Sequence, residues 1–228
     1  MARQRAFNGP GDPRLERALC IVAHPDDVDF FAAGTVLLMT RRGVVVDLVL
    51  ATSGDKGSRD GATSAANLAA TREREQLASA AALGAGRVEF LRHRDAELVD
   101  TLEFRGELVR EIRRSRPDVL LTFDPTHGYR QHPDHRVVGR VALDAAWPCA
   151  RDPLTYPDMG SAHETAEAWL FGSPRGTRAD LTIDVGEVLD LKITARLAHQ
   201  SQTRDPHDLK RRWRHVAGHE RFVQVDLR

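Results

Sequence analysis

The sequence has only two cysteines, Cys20 and Cys149, in 228 residues. Neither belongs to a C-x-x-C pair, which excludes a dithiol redox motif and a thiolate-based zinc site. Cys20 sits in an apolar run, where a buried thiol is expected. Net charge is also missing, because 33 basic residues balance 33 acidic ones. Proteins built around nucleic acid or an anionic membrane carry an excess of positive charge, so neither partner is expected. The one basic run of note, "KRRWRH" at 210–215, reads as a solvated helix face. No apolar run approaches the length of a bilayer span, and the first twenty residues lack the apolar core of a secretory signal. The expectation is a protein of the reducing cytoplasm. Two nucleotide and hydrolase signatures are absent as well. No G-x-G-x-x-G follows the first strand, where His24, Pro25, Asp26 and Asp27 stand instead, and two carboxylates would repel a diphosphate. No G-x-S-x-G elbow marks a serine hydrolase.

What is present is an alternation of strands and helices. The length and the 41% hydrophobic content fit one domain over 1–228 with a core of ordinary size. Residues 1–16 are polar and rich in Gly and Pro and read as a loose terminus. The runs at 18–23, 44–52, 87–91 and 118–124 are short, apolar and rich in β-branched residues, as buried parallel strands are. Helical periodicity covers 29–43, 67–84, 102–116, about 134–146 and 187–202. Later strands are expected at 167–172 and 179–186. This order predicts an α/β fold, a Rossmann-like three-layer sandwich around a mostly parallel sheet. The irregular segment 148–165 and the turn-rich loop 53–66 are expected to shape a pocket.

In open parallel sheets, ligands collect beyond the carboxyl ends of the strands. "HPDD" (24–27) follows the first strand, and "HPDHR" (132–136) follows the strand that ends at Asp124. Both clusters share one edge if those strands are neighbours. His24 and Asp27 form an H-x-x-D pair, and His132 and His135 form an H-x-x-H pair. Two imidazoles and a carboxylate are a donor set for catalytic zinc, with a position left open for water. Spacing alone leaves open which of His132 and His135 is the ligand. An H-P-D-D turn by itself also serves as an Asx turn or helix cap without chemistry. It is the pairing of two such clusters after two strands that points to a metal.

These blocks, with "TSGDKGS" (52–58), "RDAEL" (94–98), "RPDVLLTFDP" (116–125) and "AHQSQ" (198–202), resemble the LmbE-like, or PIG-L, family of zinc-dependent N-deacetylases. The resemblance implies His24, Asp27 and His135 as ligands of Zn2+, or of another divalent ion such as Fe2+. It implies Asp26 as the general base toward the attacking water. It implies His132 as the group that stabilises the oxyanion and protonates the leaving amine, with Asp134 orienting His132. Arg72 and Asp95 are implied as substrate contacts, and Tyr129 as a contact to the oxyanion that stands one position away from the family spacing. Asp29 matches an acidic family residue expected to support the ligands or cap the next helix. The implied activity is hydrolysis of an N-acyl, chiefly acetyl, group from an amino sugar or glycoconjugate. An amidase acting on a cysteine-sugar thiol conjugate and a non-catalytic metal-binding relative are the alternatives. The implied partner is a small molecule, and a homo-oligomer is compatible with the sequence.

Overall fold

The structure, a computed structural model, describes residues 6–58, 62–126, 131–173, 176 and 178–228. Four strands, β1 (Arg17–Val22), β2 (Val45–Thr52), β4 (Val119–Phe123) and β5 (Glu167–Phe171), are buried at nearly every position rather than at alternate ones. That pattern requires cover on both faces, which a parallel sheet with helical crossovers supplies. With β3 (Val88–His93), these strands form a parallel sheet in the order β3-β2-β1-β4-β5. β7 (His219–Asp226) then pairs antiparallel with β5, and β6 (Leu181–Asp184) pairs antiparallel with β7. Helices α1 (Asp27–Phe31), α2 (Ala33–Thr40), α3 (Ala65–Leu83) and α6 (Leu189–Ala198) pack together on one face. Helices α4 (Leu102–Ser115) and α5 (Pro133–Asp144) cover the other. The fold is therefore the expected three-layer α/β sandwich. Because β1 and β4 are adjacent, the chain order reverses between them, which is where such sheets open a crevice.

Several expectations about elements need amendment. The helix read over 29–43 is two helices, broken at Ala32, whose φ of −141° is not helical. The break lets Glu220 of β7 accept the amides of Gly34 and Thr35 and the hydroxyl of Thr35, at 2.6–2.8 Å. Gly34 is required there, since a Cβ would lie 2.5 Å from Val185. The helix read over 187–202 is α6 with a 3-10 turn at each end. Of the segment 1–16 read as loose, residues 1–5 lie outside the described residues, and 6–16 are anchored at Phe7, Asp12 and Leu15, which are buried. Phe7 joins the core and its amide donates to Glu167, while Arg14 forks onto Asp12. The run at 210–215 does lie on a helix, α7 (Pro206–Val216), which buries only Leu209. No described helix is long and apolar enough to cross a membrane.

Glu220 is also half of a buried ion pair. Lys192 on α6 meets it at 2.8 Å, and both side chains are 2% exposed. Removing one partner strands the other charge. Glu220→Ala is expected to cost about 3–5 kcal/mol in urea unfolding, and Lys192→Met in the same chain to recover much of that loss. If the double variant were no more stable than Glu220→Ala, the helix cap rather than the stranded lysine would account for the cost.

The segment at 148–165 lies at the wrong edge of the sheet for the role expected of it. α5 starts at the carboxyl end of β4 and runs back, so the chain after it reaches the amino ends of the strands. His163 shares a hydrogen bond with the carbonyl of Pro117, just before β4, and the Ala166 amide donates to Asp118. Arg113, in the last turn of α4, holds the segment by donating to the carbonyls of Cys149, Ala150, Asp152, Thr155, Tyr156 and Gly160. Arg113→Ala is expected to lower stability by about 3 kcal/mol or more, because several buried carbonyls lose their donor together. Activity per folded molecule should not change. A selective change in substrate preference would instead return this segment to the pocket.

Candidate active site

The turn after β1 bends sharply. Asp26 has φ +94°, a left-handed conformation that strains a residue with a Cβ. The Asp26 amide donates to Gln76 Oε1 at 3.0 Å. The bend also turns the Asp27 carboxylate back onto the amides of Ala23 and His24, at 3.1 and 2.8 Å. On the neighbouring strand, β4 leads to α5, whose first turn carries Asp134 and His135. The His135 ring stacks on Phe123, with centroids 3.8 Å apart and planes 10° apart, which fixes its direction.

The result is a triangle of donors. His24 Nδ1 lies 3.3 Å from His135 Nε2 and 3.5 Å from Asp27 Oδ2, and His135 Nε2 lies 3.1 Å from Asp27 Oδ1. Donor atoms about 2.0–2.2 Å from a tetrahedral ion are about 3.3–3.6 Å from one another, so the set fits a divalent metal. A second cluster joins His24, Asp95, His132 and Asp134. It is the poorer candidate. His132 stands 4.0 Å from both carboxylates. Asp134 is already committed to the amides of Ala96 and Leu98, at 2.7 and 3.3 Å.

This second cluster instead holds His24. Its Nε2 faces Asp95 Oδ1 at 3.1 Å and Asp134 Oδ2 at 3.3 Å, which places the ring proton on Nε2 and leaves Nδ1 free for a cation. The expectation that Asp134 orients His132 is therefore amended. Asp134 reaches His24 and the 96–98 loop, and its carboxylate is beyond hydrogen-bond distance of His132. What orients His132 is its position as the cap of α5, where its Nδ1 accepts the Asp134 amide at 3.3 Å. Asp95, expected to meet substrate hydroxyls, is 5% exposed and bonded to His24 and to the Lys56 amide.

Charge is distributed unevenly over these groups. Burial and the adjacent Asp27 charge push Asp26 up to about 6, against the pull of Arg72, His199 and Arg196. Asp27 is held below the usual carboxylate range: burial opposes ionisation, and the charges and hydrogen bonds of His135 and His24 overcome it. Asp95 is drawn down to about 2, since the His24 contacts outweigh its burial. Burial and the two neighbouring imidazoles lower His132, against Asp134 and Asp95. Two adjacent carboxylates thus differ in kind, one held ionised and one able to exchange a proton near neutral pH.

Arg72, expected to contact substrate, is 4% exposed and donates to the carbonyls of Gly54 and Pro25 and to Asp26 Oδ1. The glycines of "TSGDKGS" make room for it, because a Cβ at Gly54 or Gly57 would lie 2.2 or 2.1 Å from the guanidinium. Asp29 accepts from Ser79 at 2.6 Å and meets His199 at 2.9 Å, all three fully buried, so it ties α1 to α3 and α6. Tyr129 falls outside the described residues.

Sequence reasoning missed Gln76 and Arg196, and it gave no role to His199 although "AHQSQ" (198–202) includes it. Gln76 lies one turn beyond Arg72 on α3, so spacing alone gave a signal for it. Arg196 Nη2 stands 4.0 Å from Asp26 Oδ2, and no local pattern announces it.

Comparison with known proteins adds to this geometry. Residues 19–146 match the family described as PIG-L, GlcNAc-PI de-N-acetylase. The chain is 32% identical to the diacetylchitobiose deacetylase of Thermococcus kodakarensis over 87% of its own length and 74% of that protein. It is 31% identical to a probable N-acetyl-alpha-D-glucosaminyl L-malate deacetylase 2 of Bacillus cereus, over 83% of its length and 85% of that protein. Among solved structures, the N,N'-diacetylchitobiose deacetylase of Pyrococcus horikoshii in complex with an inhibitor superposes with a TM-score of 0.84. That match has 27% identity and covers 93% of this chain and 84% of the other.

Proposed function

This chain belongs to the PIG-L family, and from that membership we propose that it hydrolyses the N-acetyl group of an amino sugar carried on a second sugar or other conjugate. The observation that carries the reading is the donor triangle of His24, Asp27 and His135 with Asp26 beside it. A divalent ion held there, zinc or a similar metal such as Fe2+, would supply a Lewis acid that acidifies water and polarises the acyl carbonyl. Asp26 takes the proton from the attacking water as its oxygen bonds to the acyl carbon. Its strained backbone is held by Gln76 and its carboxylate by Arg72, so the base is oriented before substrate arrives. His132 is the most open imidazole of the site, with its side chain 38% exposed; burial and its neighbours favour its neutral form, so it takes up a proton as negative charge develops on the acyl oxygen and passes that proton to the nitrogen as the C–N bond breaks. Acetate and a free amine leave. Arg72 serves the base rather than the sugar in this reading, and Asp95 and Asp134 serve His24. Two buried free thiols, Cys20 and Cys149, suit a reducing cytoplasm.

The test is amine release from N-acetylglucosamine, its β-1,4-linked dimer and N-acetylglucosaminides of other alcohols, with metal-loaded protein. Acyl-cysteine sugar conjugates belong in the same panel. Release from the acetylated sugars by the wild type, and not by Asp26→Ala, is expected. Release only from the cysteine conjugates would move the assignment to the amidase alternative.

A further inference from the structure

We propose that the outer face of α4 and α5, with the segment 147–156 laid beside them, is the contact surface for a second copy of this chain. Among the described residues, five large apolar side chains are more than half exposed, and four of them stand here: Leu154 at 87%, Leu102 at 67%, Val99 at 65% and Trp147 at 52%. Single apolar residues scattered over a surface need no explanation, but a group of them does. Arg105 draws the group together. Its guanidinium bonds Asp100, between Val99 and Leu102, at 2.9 Å, and Asp144, three residues before Trp147, at 3.3 Å. The Tyr156 hydroxyl, two residues from Leu154, donates to the Leu102 carbonyl at 3.0 Å. Tryptophan, tyrosine and arginine around a patch of leucines are the residue types that interface centres favour.

Leu154 is not a loose tip. Its amide donates to Asp152 Oδ1 at 2.8 Å. The Arg113 clasp takes the carbonyls of Asp152 and Thr155, on either side of it, each at 2.8 Å. The fold therefore fixes a leucine in water, which leaves the free energy of burying it ungained in a single copy. A knob that is fixed in advance loses little freedom when it docks.

Two features point to a second copy rather than to an unlike partner. The same face holds a recess of about 210 Å³, lined by Leu98, Val99 and Phe104 and rimmed by His93, Arg94 and Glu97. An apolar cavity of about 150 Å³ holds a benzene ring, so this recess has room for a leucine side chain. A two-fold contact sets each residue of a patch against another residue of the same patch. Leu154 of each copy can then enter the recess of the other. Charge agrees with this arrangement. The ion pairs that tie the patch together set Arg105 and Arg140 against Asp100 and Asp144, with Arg140 3.5 Å from Asp100. They are balanced, and a strongly acidic or basic partner would meet its own sign at half of them. The chain as a whole has no net charge to oppose its own association.

The test is the mass of the full chain in solution, by sedimentation over a wide range of concentration. The wild type is expected as a dimer or a multiple of one, against a chain mass of 25.3 kDa. Leu154→Asp at the knob and Val99→Asp at the recess should each halve the assembled mass or weaken association at least about tenfold. Both positions are exposed, so neither change threatens the fold. Leu77→Asp, half exposed on α3 at the other face of the sheet, should leave the mass as it is. Leu154→Cys mixed with Val99→Cys under mild oxidation should cross-link unlike chains, since the native Cys20 and Cys149 are buried. Any of four results overturns the proposal: a monomer at every concentration, an assembly that both aspartate variants leave intact, one that Leu77→Asp breaks as well, or no mixed cross-link.

Discussion

Asp26→Ala is expected to keep a stoichiometric metal and to lose turnover by about two to four orders of magnitude, the usual worth of a positioned general base. The expectation rests on the division of labour between two adjacent carboxylates. Asp27 faces His24 and His135, and its other contacts are the amides of Ala23 and His24. Asp26 supplies no atom to that triangle, and its own carboxylate contacts are Arg72 and Arg196. Deleting its carboxylate leaves the donor triangle intact and removes only the proton acceptor. Metal analysis and single-turnover amine release on the same sample check both halves. Loss of metal along with activity would make Asp26 a ligand.

The pH profile supplies a second check on the same residue. A general base works deprotonated, and burial with the Asp27 charge pushes Asp26 up to about 6. As pH falls through that value, Asp26 takes up a proton, so kcat/KM should fall on the acid side. A nearby divalent cation favours the carboxylate form and moves that limb lower, never higher. An acid limb well above 6 would point to a different group as the base.

Much of this site was legible because it is local in sequence. "HPDD" and "HPDH" each place several polar groups within a single turn, and the β-branched runs before them identify buried parallel strands. The adjacency of β1 and β4 needed only the ordinary topology of such sheets. The supporting groups were hidden for a physical reason. Gln76, Arg196 and His199 come from α3 and the end of α6, and only packing brings them to α1. Charge patterns misled in the same way. Glu220 within "HERFVQVD" disguises β7, since its charge is met by Lys192 from a distant helix. The role of segment 148–165 could not be read because composition says that a loop is irregular but not which edge of the sheet it occupies. Arg113 stands in the basic last turn of α4, and nothing local in the sequence marks it as the clasp of that loop.

Metal retention should divide the histidines and Asp134 into three grades. His135→Ala removes one corner of the triangle, and the protein should emerge from dialysis with metal at background. His132→Ala should keep a full complement, because no His132 atom belongs to the triangle, while activity falls for want of a proton donor. Asp134→Ala should lie between them, with affinity reduced by about ten- to a hundredfold, the usual effect of losing a carboxylate that orients a ligating imidazole. The middle grade is the informative one. Asp134 Oδ2 is 3.3 Å from His24 Nε2 and 4.0 Å from His132 Nδ1. If Asp134 served His132 instead, its loss would lower activity and leave affinity untouched. Asp134 also secures the amides of Ala96 and Leu98, so urea unfolding must accompany the measurement. Metal loss in Asp134→Ala molecules that remain folded, matched by retention in His132→Ala, would assign the carboxylate to His24. The reverse order for His132 and His135 would exchange their roles.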